Sequence, residues 1–140
     1  EDAMQDAARS LLGLHDFATF CRPRPGATTI RTLQAFEWTR DADGVLCARL
    51  QADAFCHSMV RSLVGACVAV GERRLASERV PELRDAAQRP SEFKVMPAKG
   101  LTLVEVGYPP DEQLAARAEE TRQRRAIDAS AGLAETQGID

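Results

Sequence analysis

Residues 29–71 read TIRTLQAFEWTRDADGVLCARLQADAFCHSMVRSLVGACVAVG, and a change of period inside them decides the fold. From Thr29 to Arg40 the side chains alternate. Ile30, Thr32, Gln34, Phe36 and Trp38 face one way, and Arg31, Leu33, Ala35 and Glu37 the other, which is strand periodicity. Asp41-Ala42-Asp43-Gly44 is a turn signal and Val45 to Asp53 alternates again, so the pair predicts a β-hairpin. From Phe55 to Gly71 the apolar residues recur at helical spacing: Met59, Leu63, Cys67 and Val70, with Val60, Val64 and Val68 beside them. That pattern predicts a strongly apolar helix, closed by Gly71 and packed on the sheet.

Outward from this segment the signals are weaker. Residues 2–12 predict a short helix with Met4, Ala7, Ala8, Leu11 and Leu12 on one face, ended by Gly13. Leu14 to Thr29 reads as loop, punctuated by Pro23, Pro25 and Gly26. Val80 to Gln88 predicts a more polar helix introduced by Pro81, followed by a loop marked by Pro90, Pro97 and Gly100. Leu101 to Tyr108 reads as a further strand stopped by Pro109-Pro110, and Asp111 to about Ala129 is helix-permissive but heavily charged. The order of elements predicts an α+β domain with a mainly antiparallel sheet and helices packed on one face, leaving the other face free for a partner. Three strands make a thin sheet, so further strands are expected from chain outside these residues.

The 140 residues carry a formal net charge of −3 and are 44% hydrophobic, which excludes collagen-like, disulfide-scaffold and wholly disordered classes. No run approaches eighteen apolar residues, so no membrane span is expected. The opening Glu1-Asp2-Ala3-Met4 carries neither an initiator Met nor a signal pattern, so the chain reads as processed or as a piece of something longer. Residues 1–110 are balanced at fourteen basic and fourteen acidic side chains, and residues 111–140 hold the whole −3. Residues 17–74 carry eight Arg against five carboxylates, and this local excess, rather than the total, sets the field a polyanion feels. Cys21, Cys47, Cys56 and Cys67 form no C-x-x-C pair, and a reduced, cytosolic protein is the expected setting. With only His15 and His57 as imidazole donors, no metal site is expected.

One feature is unusual. Arg61 sits inside the apolar helix, four residues from His57, so the two are expected to share a face. A charge there needs a carboxylate or phosphate partner, or must reach water along its own stem. His15-Asp16, followed by Phe17 and Phe20, could orient a base or contact RNA, or could simply fix a loop to the core. Arg22, Arg24 and Arg31 around the Pro-Gly loop suit phosphates or solvent equally. No phosphate-binding glycine motif and no Ser/His/Asp set with a known spacing is present.

These residues bring a family into view. Gly13-x-His15-Asp16-Phe17-x-x-Phe20 with Thr29-Ile30-Arg31-Thr32-Leu33 resembles the middle of the tRNA pseudouridine synthase A family. Ala54 to Gly65, running into Val70-Gly71, resembles its most specific C-terminal motif, and Pro97 to Leu103, ending in Val106-Gly107-Tyr108-Pro109, resembles its closing strand. The likeness spans about residues 5–110 in family order. Two departures stand out: the Gly-Arg-Thr-Asp segment that carries the family's catalytic aspartate is absent, and Thr102 stands where members often have Tyr.

The resemblance implies the fold of a pseudouridine synthase C-terminal domain over residues 1–110, with 111–140 a charged extension, helical or partly disordered. It implies isomerisation of uridine to pseudouridine in the tRNA anticodon stem-loop, at positions 38 to 40, without a cofactor. In that setting Arg61 matches the arginine that holds the aspartate, and Leu101 matches an apolar wall of the active site. Arg22, Arg24, Arg31, His57 and Phe17 become candidate RNA contacts. The implied partners are tRNA, an N-terminal catalytic domain and a second copy in a cytoplasmic homodimer, with the fragment inactive alone. The alternative is a non-catalytic RNA-binding or dimerisation module of the same fold.

Overall fold

A computed structural model describes residues 1–88, 90–108 and 110–122. The chain forms α1 (Asp2–Ser10), β1 (Gly13–Asp16), β2 (Ile30–Arg40), β3 (Leu46–Ala52), α2 (Met59–Gly71), α3 (Arg79–Ala86) and α4 (Leu114–Arg122), with short 3₁₀ turns at Ala18–Phe20, Ala98–Gly100 and Asp111–Gln113. The three strands make one antiparallel sheet in the order β1-β2-β3. This is the expected α+β architecture. Helices α1 and α2 pack on each other, and α1 also packs on β2. The opposite face presents Glu37, Thr39, Cys47, Arg49 and Gln51 to solvent.

The hairpin forms where its periodicity placed it. The Asp41 carboxylate accepts the backbone N–H groups of Asp43 and Val45, both at 2.9 Å, and Gly44 supplies the positive φ of 82° that closes the turn. The strict alternation expected along β2 does not hold. Leu33 pairs with Ala52 and Ala35 with Gln51, so one extra residue, the exposed Gln34, forms a bulge. A bulge shifts the side-chain phase by one, which lets both Leu33 and Phe36 enter the core although they lie on opposite sides of a regular strand.

β1 lies inside the stretch expected to be loop. Four residues are too few for alternation to register, and it is the pairing of His15 with Arg31 and Leu14 with Thr32 that makes them a strand. Because β1 ends its pairing at Leu33, the same edge of β2 needs another partner further along. Gln5 of α1 provides it: its amide accepts the Trp38 N–H at 2.8 Å and donates to the Phe36 carbonyl at 3.4 Å.

The core joins Met4, Ala7, Ala8 and Leu11 of α1 to Leu33 and Phe36 of β2 and to Met59, Leu63, Ala66, Cys67 and Val70 of α2. Phe17 and Phe20 fill the centre, and Val80 and Leu83 of α3 close one end. Thr19, also buried, donates to the Leu83 carbonyl at 2.5 Å.

The expected strand over residues 101–108 is a correction. Among the described residues this stretch has no strand partner, and Leu103, Val104 and Tyr108 stand exposed. A strand needs a neighbour to bond, and none of the three present offers one to this segment. The expected helix beyond Asp111 is present as α4, and residues 123–140 lie outside the described residues. No helix among the described residues is long and apolar enough to cross a membrane.

The cysteines also depart from expectation. Cys21 and Cys56 are joined in a disulfide with Cα atoms 5.8 Å apart, so only Cys47 and Cys67 are free. Nothing in their sequence spacing of 35 announces the pair; tertiary folding alone brings the two loops together. Burial pushes the Cys67 thiol up to about 12 from an ordinary 9.0, against a weaker lowering by Trp38. The unfolded chain ionises this thiol first, so stability is expected to fall as pH rises from about 9 towards about 12. Below that range the contribution is fully present. A Cys67→Val chain should lack the slope in pH-dependent urea titrations, and a thiol reagent at neutral pH should label exposed Cys47 while sparing Cys67.

Candidate functional site

The site is built around the entry to α2. Residues 55–58 were expected to be helical, yet α2 starts only at Met59, because Ser58 adopts a left-handed conformation (φ 67°, ψ 3°). A tight turn precedes it, with the Met59 N–H donating to the Cys56 carbonyl at 3.1 Å. The expected shared helical face for His57 and Arg61 is therefore corrected: His57 lies outside the helix and Arg61 within its first turn.

His57 instead joins the loop that follows the Ala18–Phe20 turn. The Arg22 N–H donates to the His57 carbonyl at 2.8 Å, and the disulfide between Cys21 and Cys56 fastens the adjoining positions. Arg22, Pro23, Arg24 and His57 line an open crevice of about 170 Å³. The two prolines at 23 and 25 stiffen the loop that carries the arginines. Arg22, Arg24 and His57 are all exposed, and among the described residues none has a salt-bridged carboxylate. Such a cluster suits a phosphate or another anion.

Arg61 is half-buried, and its Nη2 donates to Ser58 Oγ at 3.0 Å. Among the described residues it has no salt bridge. A guanidinium carries five donors in a planar fork, so most of its bonding capacity remains open to a carboxylate brought to it. The remaining sequence candidates divide clearly. Phe17 is 0% exposed, with its ring tilted against Phe20, so the expected RNA contact is corrected to a core residue. Arg31, at 8% exposure, is likewise withdrawn from the surface: its guanidinium donates to the Ile30 carbonyl at 2.7 Å and to Thr28 Oγ1. The phase of β2 before its bulge turns that side chain inward.

Asp16 is occupied structurally, accepting from the Ala18 N–H at 3.0 Å and from Thr29 Oγ1 at 2.5 Å. His15 contacts the Leu12 carbonyl at 2.7 Å and lies 3.4 Å from the Arg84 guanidinium. Neither is arranged to serve the crevice.

The chain after α3 is laid against α2. The Met96 N–H donates to the Arg61 carbonyl at 3.1 Å, and the Lys94 carbonyl presses on Gly65, where an added Cβ would lie only 3.1 Å from the Lys94 carbonyl carbon. Running from Lys94 beside Gly65 to Met96 beside Arg61, this segment heads back towards the entry of α2. It then delivers Lys99, Gly100 and Leu101, whose side chain is 51% exposed. Arg79 forks onto Glu92 at 2.8 and 3.1 Å, which holds Glu92 below the usual carboxylate range and ties the start of this segment to α3.

Ser58, the disulfide and the seat at Gly65 were not read from the sequence. Only Gly65 carried a signal, since a glycine interrupting a strongly apolar helix marks a close approach. Among the described residues no group of three or more His, Cys, Asp and Glu side chains is gathered to hold a metal.

Comparison with known proteins gives this geometry a context. The family model described as tRNA pseudouridine synthase matches residues 7–109. A protein of Leifsonia xyli subsp. xyli named tRNA pseudouridine synthase A is 64% identical over 126 residues, covering 90% of this chain and 44% of the relative. Proteins of the same name from Mycobacterium leprae and Corynebacterium glutamicum are 54% and 53% identical over 89% and 94% of this chain, which covers 43% and 47% of them. The chain thus spans less than half the length of these curated relatives.

Proposed function

The chain belongs to the tRNA pseudouridine synthase family, and from that premise we propose that it forms one wall of the catalytic cleft of an enzyme that isomerises uridine to pseudouridine in the tRNA anticodon stem-loop. Residues 1–110 are the C-terminal cleft domain in this reading, and residues 111–140 are an extension beyond it. The single observation that carries it is Arg61: a half-buried guanidinium with no carboxylate among the described residues. A buried-side cation with an open fork is costly unless a partner arrives. The partner proposed is the aspartate of an N-terminal catalytic domain.

The chemistry explains why such a pair is needed. The target uracil must leave the base stack, be detached from its ribose, turn and rejoin through carbon. A carboxylate serving that sequence as nucleophile or as acid/base must be ionised near neutral pH and held in one orientation. The Arg61 fork does both, by electrostatic lowering of the carboxyl pKa and by paired hydrogen bonds. Leu101, exposed in this chain, becomes the apolar wall that excludes water from the flipped base.

The exposed segment from Leu101 to Tyr108 supports the same reading, because it carries Leu103, Val104, Val106 and Tyr108 into solvent with no strand beside it among the described residues. The N-terminal domain is proposed to supply that neighbour. Arg22, Arg24 and His57 then contact the tRNA backbone from the crevice beside the cleft, with no cofactor taking part. The complete enzyme is proposed to act as a cytoplasmic homodimer.

A second reading, a module that binds RNA without chemistry, is favoured by the crevice alone. Tritium release from uridine-labelled tRNA separates the two. The full-length protein is expected to release tritium and the 140-residue chain to release none. Turnover by the short chain would overturn the claim that the carboxylate lies elsewhere. A full-length protein that binds tRNA without releasing tritium would favour the module.

A further inference from the structure

We propose that Ser58 is a positioning residue for Arg61, holding the guanidinium in the plane from which it meets the catalytic carboxylate; this rests on the role given to Arg61 above. Ser58 stands at the position that precedes α2, where a serine ordinarily turns its hydroxyl onto the free N–H groups of the first turn. It makes no such capping bond here. Its Oγ is spent on Arg61 Nη2 at 3.0 Å instead.

The backbone is shaped for that contact. A non-glycine residue at φ 67° sits in the left-handed region, which is disfavoured for any side chain with a Cβ. The surrounding structure holds it there from both sides. Before it, Cys56 is fastened to Cys21, and the His57 carbonyl accepts from the Arg22 N–H. After it, the Ser58 carbonyl accepts the Ser62 N–H at 2.9 Å, which begins the helix. The hydroxyl is thereby delivered to a side chain three residues on, across the first turn. One of the five guanidinium donors is fixed by a partly buried bond of 3.0 Å, which leaves the others for a carboxylate. A long side chain with four rotatable bonds would otherwise sample several orientations.

The test uses the full-length enzyme. Ser58→Gly keeps the left-handed backbone without steric cost and removes the CH2OH side chain, and with it the oxygen that bonds the Arg61 guanidinium. It is expected to lower kcat about tenfold, with KM for tRNA and urea-unfolding stability unchanged or stability slightly raised. Ser58→Asn, which tolerates the same backbone and retains an acceptor oxygen, is expected to recover most of that loss. Arg61→Lys combined with Ser58→Gly should be no slower than Arg61→Lys alone, because both act through one fork. Wild-type kcat in Ser58→Gly beside a crippled Arg61→Lys would overturn the role of Ser58 and leave that of Arg61 standing. Near-normal activity in Arg61→Lys would overturn both. A fall in kcat that tracks a matching loss of stability would assign Ser58 to the fold alone and overturn the proposal.

Discussion

Arg61→Lys in the full-length enzyme is expected to lower kcat roughly a hundredfold while leaving the fold intact. Lysine preserves the charge, so a merely attractive role would survive the change. It cannot reproduce a planar fork, and it presents three donors from a point at the end of a flexible stem. Removing one partner from a buried charge pair costs about 3–5 kcal/mol, and a retained charge returns part of that. A loss of about 3 kcal/mol in transition-state stabilisation corresponds to about two decades in rate. The loss should fall on kcat rather than on KM, because the crevice of Arg22, Arg24 and His57 proposed to meet the tRNA is untouched. The pH profile gives a second reading. A guanidinium beside a carboxylate lowers its pKa, so weakening the pair raises it, and the acid limb of kcat should move to higher pH. An unmoved acid limb with near-normal turnover would remove Arg61 from the site.

Arg61 is legible in the sequence because a single charge in a run such as MVRSLVGACV conflicts with its surroundings, and such conflicts concentrate at functional sites. The hairpin and α2 were legible for a related reason: each is long enough for its period to be counted. What escaped was fixed by contacts distant in sequence. β1 is a strand because β2 lies beside it, and Phe17 is a core residue because folding places it in the cluster shared by α1, β2 and α2. Arg31 points inward because a bulge at Gln34 resets the phase of β2, and no periodicity can announce an inserted residue. The segment from Leu101 to Tyr108 shows the converse. Its β-branched and apolar residues suit a strand, yet they form one only when an edge is there to receive them. The three surface candidates, Arg22, Arg24 and His57, share one crevice only after the loop at Cys21 meets the turn at Cys56.

Gly65→Ala is expected to destabilise the protein by about 2–3 kcal/mol, although alanine is the better helix former. Two effects of opposite sign compete. Within a helix the exchange favours alanine by about 1 kcal/mol. Against it stands the backbone of Lys94, whose carbonyl oxygen occupies the place of the new Cβ and whose carbonyl carbon lies 3.1 Å away. A flexible side chain could turn aside, but a backbone held at both ends cannot. Upstream, Phe93 is stacked on Phe20 at 5.6 Å and Glu92 is forked by Arg79; downstream, the Met96 N–H is bonded to the Arg61 carbonyl. Lifting the segment gives up that hydrogen bond, about 1 kcal/mol, and uncovers a phenylalanine whose burial contributes about 2–3 kcal/mol. The sum exceeds the propensity gain. Gly71 is the control on the same helix: the nearest atoms to a Cβ there belong to the unbranched side chain of Met4, which can change rotamer where a backbone cannot, so Gly71→Ala should cost less than Gly65→Ala. Urea unfolding of the two variants beside the parent measures the difference. A Gly65→Ala protein as stable as the parent would show that residues 94–96 are not seated on α2, and the proposed place of Leu101 in the cleft would lose its support.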